Sequence, residues 1–213
     1  MAFALAIRAR VEPLFTAGTM TPYDPCHDRY HVERVAKNAV ALARAEGADV
    51  DAVECAAWLH DLDRTGEADP VAAARAHLSA VGAPAEFTAR VLEVVERHKD
   101  KSFAPGGVRP RSLEAAVLSD ADKLEAIGAI GIARAFSFGG LKGRALWDGA
   151  PTDVPDVYVS GKLGSTVQHF YDKLLRIEAD LVTPTGRAWG KRRSDFLRTF
   201  LDQFFTEWNA AQA

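Results

Sequence analysis

The chain has 213 residues and a mass of 23.1 kDa, enough for one compact domain at roughly 150 residues per domain. Hydrophobic residues make up 48% and charged residues 26%, which excludes general disorder, collagen and low-complexity scaffolds. The 26 Lys and Arg nearly balance 29 Asp and Glu, so no global basic field exists for bulk binding to nucleic acid or anionic membrane.

The apolar start, Met1 to Ile7, lacks a charged leader and is too short for a signal peptide. No run approaches the ~20 apolar residues of a membrane span. Cys26 and Cys55 make neither a disulfide framework nor a zinc knuckle and read as reduced thiols, so a cytoplasmic location is expected. Val32, Val35, Ala36, Ala39 and Ala43 follow helical spacing from Tyr30 to Gly47. A second helix starts near Val53 and carries His60 and Asp61, Val71 to Val81 reads as a third, and the stripe Phe87, Val91, Val94, Val95 runs to His98. Lys99 to Arg111, with two prolines and two glycines, is a loop. Leu113 to Ile127 is apolar on more than one face, the mark of a buried helix. The small residues of Ile127-Gly128-Ala129-Ile130-Gly131 suit close helix packing and lack the order of a phosphate loop. Phe138 to Gly161 reads as a long surface loop, followed by helices over Ser165 to Leu181 and Arg187 to Trp208. The expected fold is all-α, one domain, with a core over about 28–135 and C-terminal helices over about 165–208.

The chemistry concentrates in a few polar residues on apolar stripes. In Ala56-Ala57-Trp58-Leu59-His60-Asp61 an imidazole and a carboxylate follow four apolar residues. A buried carboxylate is costly unless it is paired or coordinates a metal. His31 opens the first helix, with Arg34 on the same face. His98 lies on the third apolar stripe, and Asp120 and Asp122 interrupt the buried helix. Periodicity alone does not choose between these two aspartates. Histidines and aspartates from three helices form a mixed N/O set suited to Mn, Fe, Co, Zn or Mg.

The order His31, His60-Asp61, Asp122 resembles the signature of the HD-domain metal-dependent phosphohydrolases. Four blocks extend the likeness to a bacterial branch of predicted HD hydrolases: HDRYHVERVAKNA, AAWLHDLDR, SDADKLEAIGAIGIARAFSFGG and HFYDKLLRIEADLVTPTGRAWGKRR. They run from about Asp28 to Trp208. The resemblance implies a helical bundle with one divalent ion (Mn, Mg, Co, Fe, Zn or Ni) held by His31, His60, Asp61 and Asp122. Asp122 is preferred because Asp122-Lys123-Leu124 matches the family's final ligand. It also implies hydrolysis of a phosphoester or phosphoanhydride bond in a nucleotide or small phosphorylated metabolite.

Arg34, Lys123, Arg134 and Lys173 are the expected phosphate-binding groups, and Asp63 or Glu67 the expected general base. His27, one helical turn before His31, is expected to face substrate, and His98 to line the pocket. His77 has no clear counterpart in the branch, so one ion is favoured over two. A di-iron oxygenase on the same scaffold, or a metal-retaining nucleotide sensor without turnover, are the rival functions. The glycine-rich loop is expected to close over substrate with Lys142 and Arg144, and oligomerisation stays open.

Overall fold

All regular elements among the described residues are helical. The structure, a computed structural model, describes residues 2–20, 23–98, 110–150, 152 and 164–209. Helix α1 (Ala2–Val11) buries Ala4, Ile7 and Val11. The sequence reading did not expect this helix; the apolar start covers α3 (Val50–Leu59) and α4 (Pro70–Ala80).

Helix α2 (Arg29–Glu46) begins where Asp28 accepts hydrogen bonds from the Tyr30 and His31 amides, both at 3.0 Å. It ends at Gly47, whose φ of 77° is open to glycine without strain. Helix α3 is buried on nearly every face, from Ala52 to Leu59, and packs against α1, α2, α5 (Ala85–Arg97) and α6 (Leu113–Glu125). A helix so enclosed sets the position of whatever stands at its end, which is His60. Helices α7 (Gly128–Leu141), α8 (Thr166–Asp172), α9 (Ile177–Asp180) and α10 (Pro184–Trp208) complete the chain. No single helix among the described residues is long and apolar enough to cross a membrane.

The expected loop from Phe138 starts only at Lys142, because α7 continues through Gly139 and Gly140. A Cβ on Gly139 would lie 2.0 Å from Thr166 Oγ1, so Gly139 serves helix packing before it serves a turn. The close packing expected near Gly131 has the same origin: a Cβ there would stand 2.3 Å from the Ala126 carbonyl oxygen. Lys142 and Arg144 lie against the Phe138 ring, at 5.4 and 5.7 Å from its centroid. The rest of the expected lid, 153–161, lies outside the described residues, as does 99–109 of the loop after His98. The expected helix over Ser165 to Leu181 is broken into α8, a 3-10 turn at Leu174–Arg176, and α9.

The chain reverses into α10 on a single carboxylate. Asp120, fully buried on α6, accepts from the Val182 amide (2.9 Å), the Thr183 amide (2.7 Å) and the Thr183 hydroxyl (2.7 Å). Burial pushes its pKa up, against these hydrogen bonds. A Cβ on Gly186 would come within 2.3 Å of Asp120 Oδ2, so the first turn of α10 must be glycine there. Replacing Asp120 with Ala orphans the buried Thr183 amide and hydroxyl and the half-buried Val182 amide, at about 1–3 kcal/mol for each buried group. Asp120→Ala should therefore lower unfolding stability by about 3 kcal/mol or more, read as a shift in the denaturant midpoint. A midpoint equal to that of the parent chain would refute this role.

Candidate metal centre and its cleft

Three elements deliver the candidate ligands to one place. His31 sits in the first turn of α2, fixed by the Asp28 cap. His60 ends α3, and Asp61 opens the following 3-10 turn, Leu62–Thr65. Asp122 projects from α6. One ligand atom each from His31, His60 and Asp122 lie within 4.8 Å of one another. Asp61 Oδ2 stands 3.6 Å from His31 Nε2 and 3.5 Å from His60 Nε2, and Asp122 Oδ1 is 3.7 Å from His31 Nε2. Both imidazoles are fully buried, whereas the Asp122 side chain keeps 31% exposure, so the cluster opens on the aspartate side.

The ring orientations are set from behind. His60 Nδ1 lies 2.7 Å from the Ala57 carbonyl, an acceptor only, so Nδ1 carries the proton and Nε2 presents its lone pair to the cluster. Among the described residues, Nε2 of His60 and both nitrogens of His31 are buried without a hydrogen-bond partner. Behind His31, Glu125 Oε2 lies 3.7 Å from Nδ1 and accepts from Arg34 Nε at 2.7 Å. Burial opposes ionisation of both aspartates. For Asp61 it is outweighed by His60 and His31, and the carboxyl sits well below its usual range. For Asp122 the same two imidazoles win, and its pKa too is strongly lowered. Burial likewise opposes the charged form of His31, but Asp61 and Glu125 raise its pKa above the ordinary value.

A cleft of about 130 Å³ adjoins the cluster and brings together His27, Asp61, Asp122, Lys123, Arg134 and Lys173, all singled out from the sequence. His27 is held by Asp24, whose Oδ2 is 2.7 Å from Nδ1, and its ring meets His31 edge-on at 5.3 Å. Burial alone would raise the Asp24 pKa, but the His27 contact brings it down to about 2. Burial lowers the pKa of His27.

Several expected roles change once the partners are visible. Arg34 has the right helical spacing but is turned to Glu125 and does not line the cleft. Lys123 is almost entirely buried, with Nζ 2.8 Å from Asp180 Oδ2. Arg134 spends Nε on the Cys26 carbonyl and Nη1 on the Glu125 carbonyl, both at 3.0 Å. His98 stands behind His60, ring to ring at 5.2 Å, with Nδ1 on the Val95 carbonyl, and is not among the cleft residues. Asp63 and Glu67 are exposed and line no part of the cleft; Glu67 acts electrostatically on His77, which is also influenced by Arg10 of α1. Sequence reasoning missed Arg64, Ala126 and Ile177 in the cleft wall, and Asp24, Glu125 and Asp180 as partners. Spacing from His60-Asp61 was the available signal for Arg64.

Known proteins resemble this chain in both sequence and fold. Residues 29–127 match the HD domain family, a segment holding His31, His60, Asp61 and Asp122. YpgQ of Bacillus subtilis is 35% identical over 184 residues, covering 83% of this chain and 82% of YpgQ. A crystal structure of YpgQ in complex with ADP superposes with a TM-score of 0.76 at 32% identity, covering 97% of both chains. An HD-superfamily hydrolase from Bacillus thuringiensis gives a TM-score of 0.73 at 29% identity, over 97% of this chain and all of that one. On sequence and on structure alike, the chain belongs to the HD-domain superfamily, a family of all-α proteins that includes hydrolases.

Proposed function

We propose that this protein is a metal-dependent phosphohydrolase that holds one divalent cation between His31, His60, Asp61 and Asp122 and cleaves a phosphoester or phosphoanhydride bond of a nucleotide. The observation that carries this reading is the set of buried ring nitrogens. His31 Nε2 and His60 Nε2 face two carboxylates and find no hydrogen-bond partner among the described residues. Leaving such groups unpaired costs about 1–3 kcal/mol each, a cost that coordination of a cation removes. Two neutral nitrogens and two carboxylates match Mn, Fe, Co, Zn, Ni or Mg better than a thiolate-loving ion. One ion is proposed rather than two, because His77 lies near α1, away from the cluster.

A divalent cation held there supplies Lewis acidity, making water a better nucleophile and polarising a phosphoryl oxygen. The chain's own groups do the rest. The Ala57 carbonyl fixes the tautomer of His60, and Glu125 faces Nδ1 of His31, so neither ring needs to turn on loading. The ring of His27 lines the cleft while Asp24 holds its Nδ1. Lys173 and Arg134 give the cleft wall positive charge, suited to an anionic substrate. Support for a nucleotide comes from YpgQ, which binds ADP in its crystal structure.

Metal analysis of the purified protein and a phosphate- and pyrophosphate-release screen over nucleotides with Mn, Co and Mg test the reading. His60→Ala removes one donor and its ring contacts with His31 and His98 but leaves the apolar core of α3 intact, so it should fold with some loss of stability, lose most bound metal and lose turnover by a factor of about a thousand or more. Full metal occupancy and normal turnover in this variant would reject the site.

The two aspartates of α6 should separate cleanly. Asp122→Asn keeps the shape but removes anionic charge beside the histidines, so divalent affinity should fall by about 10- to 100-fold with little change in stability. Asp120→Asn should leave divalent affinity within about twofold, because that carboxylate faces Val182 and Thr183. The opposite ranking in a metal titration would overturn the assignment of Asp122.

A further inference from the structure

The cleft beside the metal cluster needs a cation able to meet a substrate, and most of its cations are already engaged. Among the described residues Arg64, Lys123, Arg134 and Lys173 are the basic groups lining it. Lys123 is locked to Asp180 at 2.8 Å, and Arg134 braces the Cys26 and Glu125 carbonyls. Lys173 has interactions of its own as well. Arg64 differs. Its side chain is exposed and makes no hydrogen bond or ion pair within the described protein.

The backbone beneath Arg64 is nonetheless well fixed. It belongs to the 3-10 turn that Asp61 opens, and its amide donates to the Asp61 carbonyl at 2.8 Å. The Thr65 hydroxyl closes the same turn on the Leu62 carbonyl at 2.8 Å, and Gly66 ends it at φ 88°. The guanidinium therefore hangs on a rigid turn that also carries a candidate ligand, and it contributes positive charge at both Asp24 and His27. Such a group is placed to swing onto an anion without first breaking a contact to the protein. Its planar fork matches two phosphoryl oxygens, which an ammonium does not.

We infer that Arg64 is the residue that recognises the phosphate chain of the substrate, pairing with phosphoryl oxygens beyond the bond being cleaved, so that it selects nucleoside polyphosphates over monophosphates and unphosphorylated nucleosides. This rests on the proposed phosphohydrolase reading for its substrate class, and deepens it by assigning the discriminating group. Lys123 and Arg134 are braces of the cleft wall, and Arg64 is the group reserved for the ligand.

The test uses the full chain and three probes: ADP, inorganic pyrophosphate and adenosine. Each is titrated by calorimetry into the parent protein, Arg64→Ala and Arg64→Lys, with and without saturating Mn. Arg64→Ala should weaken ADP and pyrophosphate binding by about tenfold or more, as expected for loss of a charge-assisted pair, and leave adenosine unchanged. Arg64→Lys should recover only part of the loss, since it restores charge and not the fork. In turnover the Ala variant should raise KM for a nucleoside triphosphate far more than it lowers kcat, with Mn affinity unchanged. Pyrophosphate and ADP binding equal to the parent's in Arg64→Ala would overturn the assignment, whatever the metal titration gives. Failure of the parent to bind Mn would instead count against the metal reading, while the metal-free titrations still decide Arg64.

Discussion

The rest of the structure is arranged around two imidazole nitrogens that are buried without hydrogen-bond partners among the described residues. Nε2 of His31 and of His60 face Asp61, with Asp122 beside them as the most exposed member of the cluster. A fold pays heavily for such atoms, and this one surrounds them with groups that keep the rings from turning away. His60 is anchored through the opposite edge of its ring to the Ala57 carbonyl, one turn back in its own helix. His31 is anchored through the Asp28 cap and faces Glu125 across α2 and α6. Against the cost of burial, the imidazoles favour the ionised form of both carboxylates, and Asp61 and Glu125 favour the charged form of His31.

Helix α6 distributes the supporting interactions. Successive residues on a helix turn by about 100°, so 120, 122, 123 and 125 point in four different directions from two turns of backbone. Asp120 binds the entry to α10, Asp122 faces the histidines, Lys123 pairs with Asp180 of α9, and Glu125 takes Arg34 of α2. The Leu124 carbonyl accepts from Arg193, tying the same segment to α10 again. The Lys123–Asp180 pair is buried, and such pairs seldom add stability relative to an apolar replacement. Their effect here is positional: they fix how α6 sits against α2, α9 and α10, and so fix Asp122 relative to His31 and His60. Within this arrangement, distant C-terminal residues such as Thr183 bear on the geometry of a cluster built by the N-terminal half.

The helices were legible because apolar spacing and caps agreed: Asp28 and Gly47 bound α2, and the stripe through Phe87 and Val91 runs to the end of α5. Periodicity placed His31, His60 and His98 inside without saying what each would touch. Asp120 and Asp122 were indistinguishable by pattern, since both interrupt one buried helix; the likeness of Asp122-Lys123-Leu124 to the family chose between them, and the Val182 and Thr183 amides account for Asp120. Arg34 was misread because helical spacing reports a shared face, and Glu125, 91 residues away, was invisible to it. The end of α7 was misplaced for a related reason. Gly139 and Gly140 look like a turn in sequence, yet α7 runs through them, and the close approach of Thr166 explains the glycine at 139. Helix α1 was passed over because ten residues carry too short a stripe to stand out.

The cleft also illustrates why charge alone is a poor guide to function. A wall beside a preorganised metal cluster must be rigid, since catalytic electrostatics depend on dipoles and charges that need not reorganise. Rigid cations are cations with protein acceptors, and Lys123 and Arg134 have them in Asp180 and the Cys26 and Glu125 carbonyls. Their positive charge is felt at His31 (from Arg134) and at Asp120 (from Lys123), yet their donor directions are largely spent on the protein. Recognition of a ligand asks the reverse: a group on fixed backbone whose side chain has given up nothing before the ligand comes. The two demands fall on different elements. The braces stand on the packed helices α6 and α7, held by acceptors of the fold, and the adaptable group stands on the short turn after His60, where the backbone is pinned and the side chain reaches solvent. The same basic residue type therefore does opposite work according to whether its acceptor was supplied by the fold.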